Sequence, residues 1–180
     1  IYLNSGPSLA IEKIVSFYKK FKKPIYVAVD DEYINHKMQA FENCKFIRVK
    51  KTNSALLTLK NVIKVLEKKN IVNFTINPIH VIPSEELKET SISLSRKMFR
   101  KGNWASVEKT VDRVFLLNRD DTLSDGKLSY AFTGRINARI SDVNKFFLHS
   151  KTENLNDLSF LAFYLFENLN YGFQHETFLD

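Results

Sequence analysis

Three groups of residues have types and spacing that could do chemistry. The first, KKTNSALLTL (residues 50–59), sets two lysines beside Thr52, Asn53 and Ser54 at a strand-to-helix junction. Free N–H groups at a helix start, next to cations, suit a phosphate or the polar edge of a base. An ordinary capped helix, with Asn53 or Thr52 as the cap, reads off the same letters. The second, NFTINPIHVIP, ends an apolar run in Asn77 and Pro78. A divalent metal on a nucleotide wants hard anionic oxygen, usually a carboxylate, and this position offers an amide. Asn77 can hydrogen-bond a ligand but is a poor sole anchor for a metal. The third combines Trp104 and Glu108 in NWASVEK with Thr133 and Gly134 in AFTGR. A lone Trp beside a turn suits the wall of a pocket, and a glycine within a strand lets a ligand or another backbone approach closely. A packing Trp and a bulge glycine fit as well.

Other chemistries find little support. The chain has no Walker-type loop, GxGxxG, HExxH or GxSxG, and only five glycines in all. His36, His80, His149 and His175 lack ligand spacing, although His80 falls in a loop at an expected strand end. Cys44 is the single cysteine, which excludes an internal disulfide and a thiolate metal cluster. It reads as a small apolar residue just before a strand and is compatible with a cytoplasmic protein. The net charge of +7 gathers at Lys19, Lys20, Lys22 and Lys23, at Lys68 and Lys69, and at Arg96, Lys97, Arg100 and Lys101. Cations in the last turn of a helix complement its dipole, which accounts for the first two clusters. Nucleic acid is disfavoured as a partner, because most aromatics fall on helical core stripes rather than between basic residues.

The elements that must position these segments follow from periodicity. Four apolar, β-branched runs, IYLN, PIYVAVD, KFIRVK and NIVNFTIN, alternate with three helical stretches within the first 80 residues. That alternation predicts an α/β fold, with a mainly parallel Rossmann-like sheet flanked by helices. Residues 25–29, 46–49 and 71–76 should be neighbouring buried strands of one sheet; their separation into two sheets would reject the fold and the family likeness drawn below. Ligands in such sheets bind where loops leave the carboxyl ends of the strands. The first helix should cover residues 8–21, with Leu9, Ile11, Ile14, Val15, Tyr18 and Phe21 as its stripe. A second helix should follow Asp31, and a third should start near residue 53 with Leu56, Leu59, Ile63 and Leu66 facing inward. Beyond Asn77 the pattern changes to a proline-rich loop, a strand-like TSISLS and two longer alternating segments, WASVEKTVDRVFLLN and KLSYAFTGRINARI. These read as antiparallel strands added in the second half of the chain. Two helices (residues 141–148 and 155–169) and a final strand, GFQHETFL, complete the list. A hydrophobic share of 44% fits one packed domain over residues 1–180, and no uncharged apolar run approaches the ~18 residues of a membrane span. Because the chain opens on a strand without an initiator Met, it reads as part of something longer.

Taken together, these segments resemble the sugar-phosphate nucleotidyltransferases. LNSGPSLAIEKIVSFY is similar to the family's stretch after its Pro-Lys-Pro element, which leads into the first long helix. KTNSALLTLKNVI resembles the segment that faces nucleobase and ribose, and NIVNFTINPI falls where the family has a strand ending in Gly-Asp. AFTGRINARISDVNKFF resembles its Thr-Gly-Ile-Tyr segment, and LNDLSFLAFYLFEN its downstream Asn-Asp-Tyr helix. GFQHETFLD is similar to the strand before its Trp-x-Asp metal sequence. The resemblance implies a protein that forms or binds a nucleotide sugar for surface-polysaccharide synthesis, with a nucleoside triphosphate, a sugar phosphate and Mg²⁺ as partners. Lys51, Thr52, Asn53 and Ser54 would then line the nucleotide side. Asn77, Glu108, Thr133 and Gly134 would line the sugar-phosphate side, and Asp180 would stand at the metal. The family's Gly-rich loop would lie before Ile1, and Asn77 and Pro78 replace its Gly-Asp. The alternative is a catalytically inactive member of the same fold, acting as a binding or regulatory module. Residues 1–180 alone should release no pyrophosphate.

Overall fold

The computed structural model describes residues 2–3, 9–29, 44–50, 52, 54–78, 81–98, 128–150 and 158–176. Among them the chain is mixed α/β, with two sheets and four helices. The first sheet is parallel and three-stranded, in the order β1 (Tyr2–Leu3), β2 (Ile25–Val29), β3 (Cys44–Arg48). The second has the order β4 (Asn73–Ile76), β6 (Leu128–Arg139), β5 (Ser91–Met98), β7 (Gly172–Glu176). In it β6 runs antiparallel to both β4 and β5, whereas β5 and β7 are parallel. Helices α1 (Leu9–Lys19), α2 (Ala55–Glu67), α3 (Ile140–His149) and α4 (Leu158–Leu169) supply the layers.

β2 lies between two partners, and its sequence IYVAV is apolar throughout because both of its faces are covered. Ile25, Val27 and Val29 share a cluster with Val15 of α1, whereas Ala28 belongs to the main core with the α2 stripe. The period of two along one strand therefore divides its side chains between two helical layers. α1 ends where Lys22 takes φ +53°, just ahead of Pro24, which cannot continue a helix. α2 begins at Ser54, whose hydroxyl accepts from Leu57 N at 3.3 Å. After Glu67 the chain turns away at Asn70, in the left-handed region at φ +56°, with Ile71 N donating back to Leu66 O (3.2 Å). Cys44 opens β3 rather than preceding it, and burial pushes its thiol pKa up.

The expected single sheet does not form. β2 and β3 are neighbours as anticipated, but β4 pairs with β6, from Asn73 opposite Arg139 to Ile76 opposite Ile136. The physical reason is legible in NFTI: polar Asn73 and Thr75 alternate with Phe74 and Ile76, and no residue of β4 is fully buried. That is the pattern of a half-covered edge strand, not of a buried parallel one. Ile140 N donates to Val72 O (2.9 Å), carrying the pairing one step past the end of the twelve-residue β6.

The second sheet has unlike faces. Ile92, Ile136 and Ala138 join Val143 and Phe146 of α3 and Leu161, Ala162 and Leu165 of α4 in the main core. The other face carries Ser91, Ser93, Arg135, Asn137, Gln174 and Glu176. A strap without helix or strand, residues 81–90, lies over it. The strap's carbonyls are met by side chains from the sheet: Glu85 O by Arg135, Glu86 O by Gln174, Leu87 O by Asn137 and Lys88 O by Ser91, at 2.6–3.1 Å. A chain segment crossing a buried face needs such partners, because its polar backbone has lost water. The helix expected after Asp31 and the WASVEK strand fall outside the described residues.

Candidate functional site

Two clusters contain sequence-expected site residues. The first follows β3, where Val49 N still donates to Val29 O (2.8 Å) and the chain then turns into α2. Thr52 Oγ1 donates to Ser54 O (2.8 Å), shares a hydrogen bond with Thr58 Oγ1 (2.8 Å) and accepts from Ser54 N (3.4 Å). The cap is Ser54, whose side chain reaches the third N–H of the helix. Thr52 and Ser54 thus stand at the carboxyl end of a parallel strand and at the positive end of a helix dipole. Lys51 and Asn53 lie outside the described residues.

The second cluster joins segments far apart in sequence. Gly134 takes φ +83° within β6, where the pairing with β5 shifts between Ile92 and Leu94. A Cβ on Gly134 would lie 2.5 Å from Pro78 Cγ, so only glycine lets the Asn77 and Pro78 turn approach this closely. Thr133 Oγ1 accepts from Arg135 N (3.1 Å) across the same bulge. Asn77, Thr133 and Gly134 are therefore brought together, whereas Glu108 and Asp180 are outside the described residues.

Asn77 has no hydrogen-bonding capacity to spare for a donor role. Its Nδ2 donates to Pro78 O (2.7 Å) and Val81 O (2.8 Å), and its Oδ1 accepts from the Tyr18 hydroxyl (3.0 Å). The amide holds a turn together and is a poor seat for a cation. Among the described residues no group of three or more His, Cys, Asp and Glu side chains is arranged to hold a metal ion.

Sequence reasoning missed the charged centre of this cluster. Arg135 and Glu176 form an ion pair with both side chains fully buried. Ser93 Oγ donates to Glu176 Oε2 (2.6 Å), and Arg135 Nη2 donates to the Tyr18 hydroxyl (3.1 Å) and Glu85 O (3.0 Å). Arg135 Nε has no hydrogen-bond partner among the described residues. Burial pushes the Tyr18 hydroxyl pKa up against the opposing pull of Arg135, so Tyr18 stays neutral and can accept from Arg135 while donating to Asn77. A signal was present in the letters: Arg135, Asn137 and Arg139 alternate with Ile136, Ala138 and Ile140, and Ser91, Ser93 and Ser95 with Ile92 and Leu94.

No family model matches this sequence, and comparison with curated proteins and with solved structures gave no match either. The class that the structure itself defines is a mixed α/β protein with one parallel and one mixed sheet. Among the described residues no helix is long and apolar enough to cross a membrane.

Proposed function

We propose that this chain binds a nucleotide or nucleotide sugar, in the service of surface-polysaccharide synthesis. One observation carries the reading. Asn77, Thr133 and Gly134, which the resemblance assigns to a single sugar-phosphate side, meet around the close contact of Gly134 with Pro78. The first turn of α2 supports the nucleotide half: N–H groups at a helix start attract phosphate oxygens, and Thr52 and Ser54 brace that start. The separation of β4 from β2 and β3 meets the condition set above for rejecting the family likeness, so the proposal is for binding at these local sites and not for membership of that family.

A binding role is favoured over catalysis by Asn77. An amide stands where the family has a carboxylate, and its oxygen is already taken by Tyr18. Mg²⁺ would enter, on this reading, with the triphosphate rather than on Asn77. A cytoplasmic location, where nucleoside triphosphates and sugar phosphates occur, belongs to the same proposal.

Calorimetry with a panel of nucleoside triphosphates and nucleotide sugars, with and without Mg²⁺, tests it. Binding should weaken about tenfold in Thr52→Ala, because the hydroxyl that braces Ser54 and Thr58 at the helix start is lost and the phosphate site loosens. Absence of binding at millimolar ligand would sink the proposal and leave a protein-interaction role as the better choice. Pyrophosphate release by residues 1–180 would instead overturn the restriction to binding.

A further inference from the structure

Arg135 is the most demanding residue of the second sheet, and the binding reading above does not use it. Its guanidinium and the Glu176 carboxylate are fully buried. A buried ion pair gains little or nothing over an apolar pair of similar volume. What a guanidinium can supply is position, since its donors lie in one rigid plane. Here Nη1 faces Glu176 on β7, and Nη2 reaches Tyr18 on α1 and Glu85 O on the strap. Tyr18 passes the connection to Asn77, whose amide clamps Pro78 O and Val81 O. The residue before Arg135 closes the circuit, because Gly134 receives the Pro78 ring in the space a Cβ would fill. One buried cation thus grips the Asn77 and Pro78 turn from behind through Tyr18, while its own backbone meets the turn in front.

We infer that Arg135 is a positioning residue: its buried guanidinium fixes the Asn77 and Pro78 turn and the strap of residues 81–90 against Thr133 and Gly134, and so sets the shape of the ligand-binding edge. The effect on a ligand rests on the binding reading above; the anchoring of the strap does not.

The experiment pairs amide hydrogen exchange of the free protein with nucleotide titration, on the wild type, R135K, R135M/E176Q and Y18F. R135M/E176Q removes both charges at near-constant volume and leaves Ser93 an acceptor. It should unfold in a transition close to the wild type's, while amides of residues 81–90 exchange about tenfold faster or more. R135K should be intermediate, because its ammonium is a point charge on a shorter stem and lacks the planar fork that faces Glu176 and Glu85 O at once. Y18F, which deletes a single hydroxyl, should speed exchange at Val81, whose N–H is bonded to Pro78 O (3.2 Å). Unchanged exchange of the strap in folded R135M/E176Q overturns the anchoring, and if that variant does not fold, unchanged exchange at Val81 in Y18F does so. Nucleotide affinity should fall about tenfold in R135M/E176Q, in step with the loosened strap. Faster strap exchange with unaltered affinity would overturn the ligand part of the inference. A wild type that binds no nucleotide would sink the functional reading, and the exchange data would still decide the anchoring.

Discussion

Gly134 is held by two independent constraints, a φ of +83° that disfavours any side chain and a Cβ position 2.5 Å from Pro78 Cγ. The proline ring can yield by a change of pucker but not by retreating, because Asn77 pins its backbone through Pro78 O, Val81 O and Tyr18. Gly134→Ala should therefore destabilise the protein by about 2–4 kcal/mol, read as a lower urea midpoint at unchanged m-value. Pro78→Ala in the same background should recover the steric part and leave the dihedral part, a coupling that a double-mutant cycle isolates. A Gly134→Ala midpoint equal to wild type would show that the contact is slack. Tyr171 gives a second prediction at this scale. Burial first, and then the Asp142 carboxylate at 3.0 Å, push its hydroxyl pKa from 10.0 to about 12. Because the folded value exceeds the unfolded one, this stabilisation is complete below pH 10.0 and is lost as the pH rises through about 12. Urea midpoints followed from about pH 8 upward should fall less steeply above pH 10 in Tyr171→Phe than in wild type. Parallel pH slopes would refute the assignment.

The same logic applies to whole elements, where the helix starts are the most readable. Ser54→Ala removes the acceptor for Leu57 N and should cost about 1 kcal/mol by urea unfolding, with Ser54→Asp recovering most of it. A loss no larger than that of an exposed α2 substitution would mean that Thr52 caps in its place. Sequence periodicity located α1, α2, β2, β3, β5, β6, α3, α4 and β7 because each carries its own period of 3.6 or 2. It failed on the partnership of β4. The alternation of Asn73 and Thr75 with Phe74 and Ile76 marks a half-covered edge, but it does not name the strand beside it, and that choice was made by β6, far along the chain. It also failed on the charged centre. The alternation of Arg135 with Ile136 is visible in the letters, but its cover comes from a strap without periodicity. The strap reaches the sheet through backbone carbonyls, which every residue possesses and no sequence pattern marks. Asn77, Thr133 and Gly134 were legible as special residues. That Asn77 would be consumed internally was not, because its partners Tyr18 and Val81 depend on tertiary packing.

At the scale of the molecule, the two sheets share a core. Ala28, Ile47 and Val49 come from the first sheet and its margin, and Ile92, Ile136 and Ala138 from the second. Leu56 and Ile63 of α2, Phe146 of α3 and Leu161 and Leu165 of α4 belong to the same cluster. A second seam reinforces the first: Tyr18, on the helix that covers the parallel sheet, bonds to Arg135 and Asn77 of the mixed sheet. Neither sheet can expose its inner face without stripping partners from the other, so the two should unfold as one cooperative unit. Phe146 is the sharpest probe, because it is almost fully buried and stacks edge-on against Phe147 and Tyr164. Phe146→Ala should cost about 3–5 kcal/mol. Although Phe146 belongs to the helical layer on the mixed sheet, that loss should appear equally at Val27 of the parallel sheet and at Ile136 of the mixed one, as equal drops in the free energy of amide exchange. Retained protection at Val27 with loss at Ile136 would divide the chain into two folding units. The Tyr18 bond would then be a contact between domains, and the ligand edge would be free to change shape as they move.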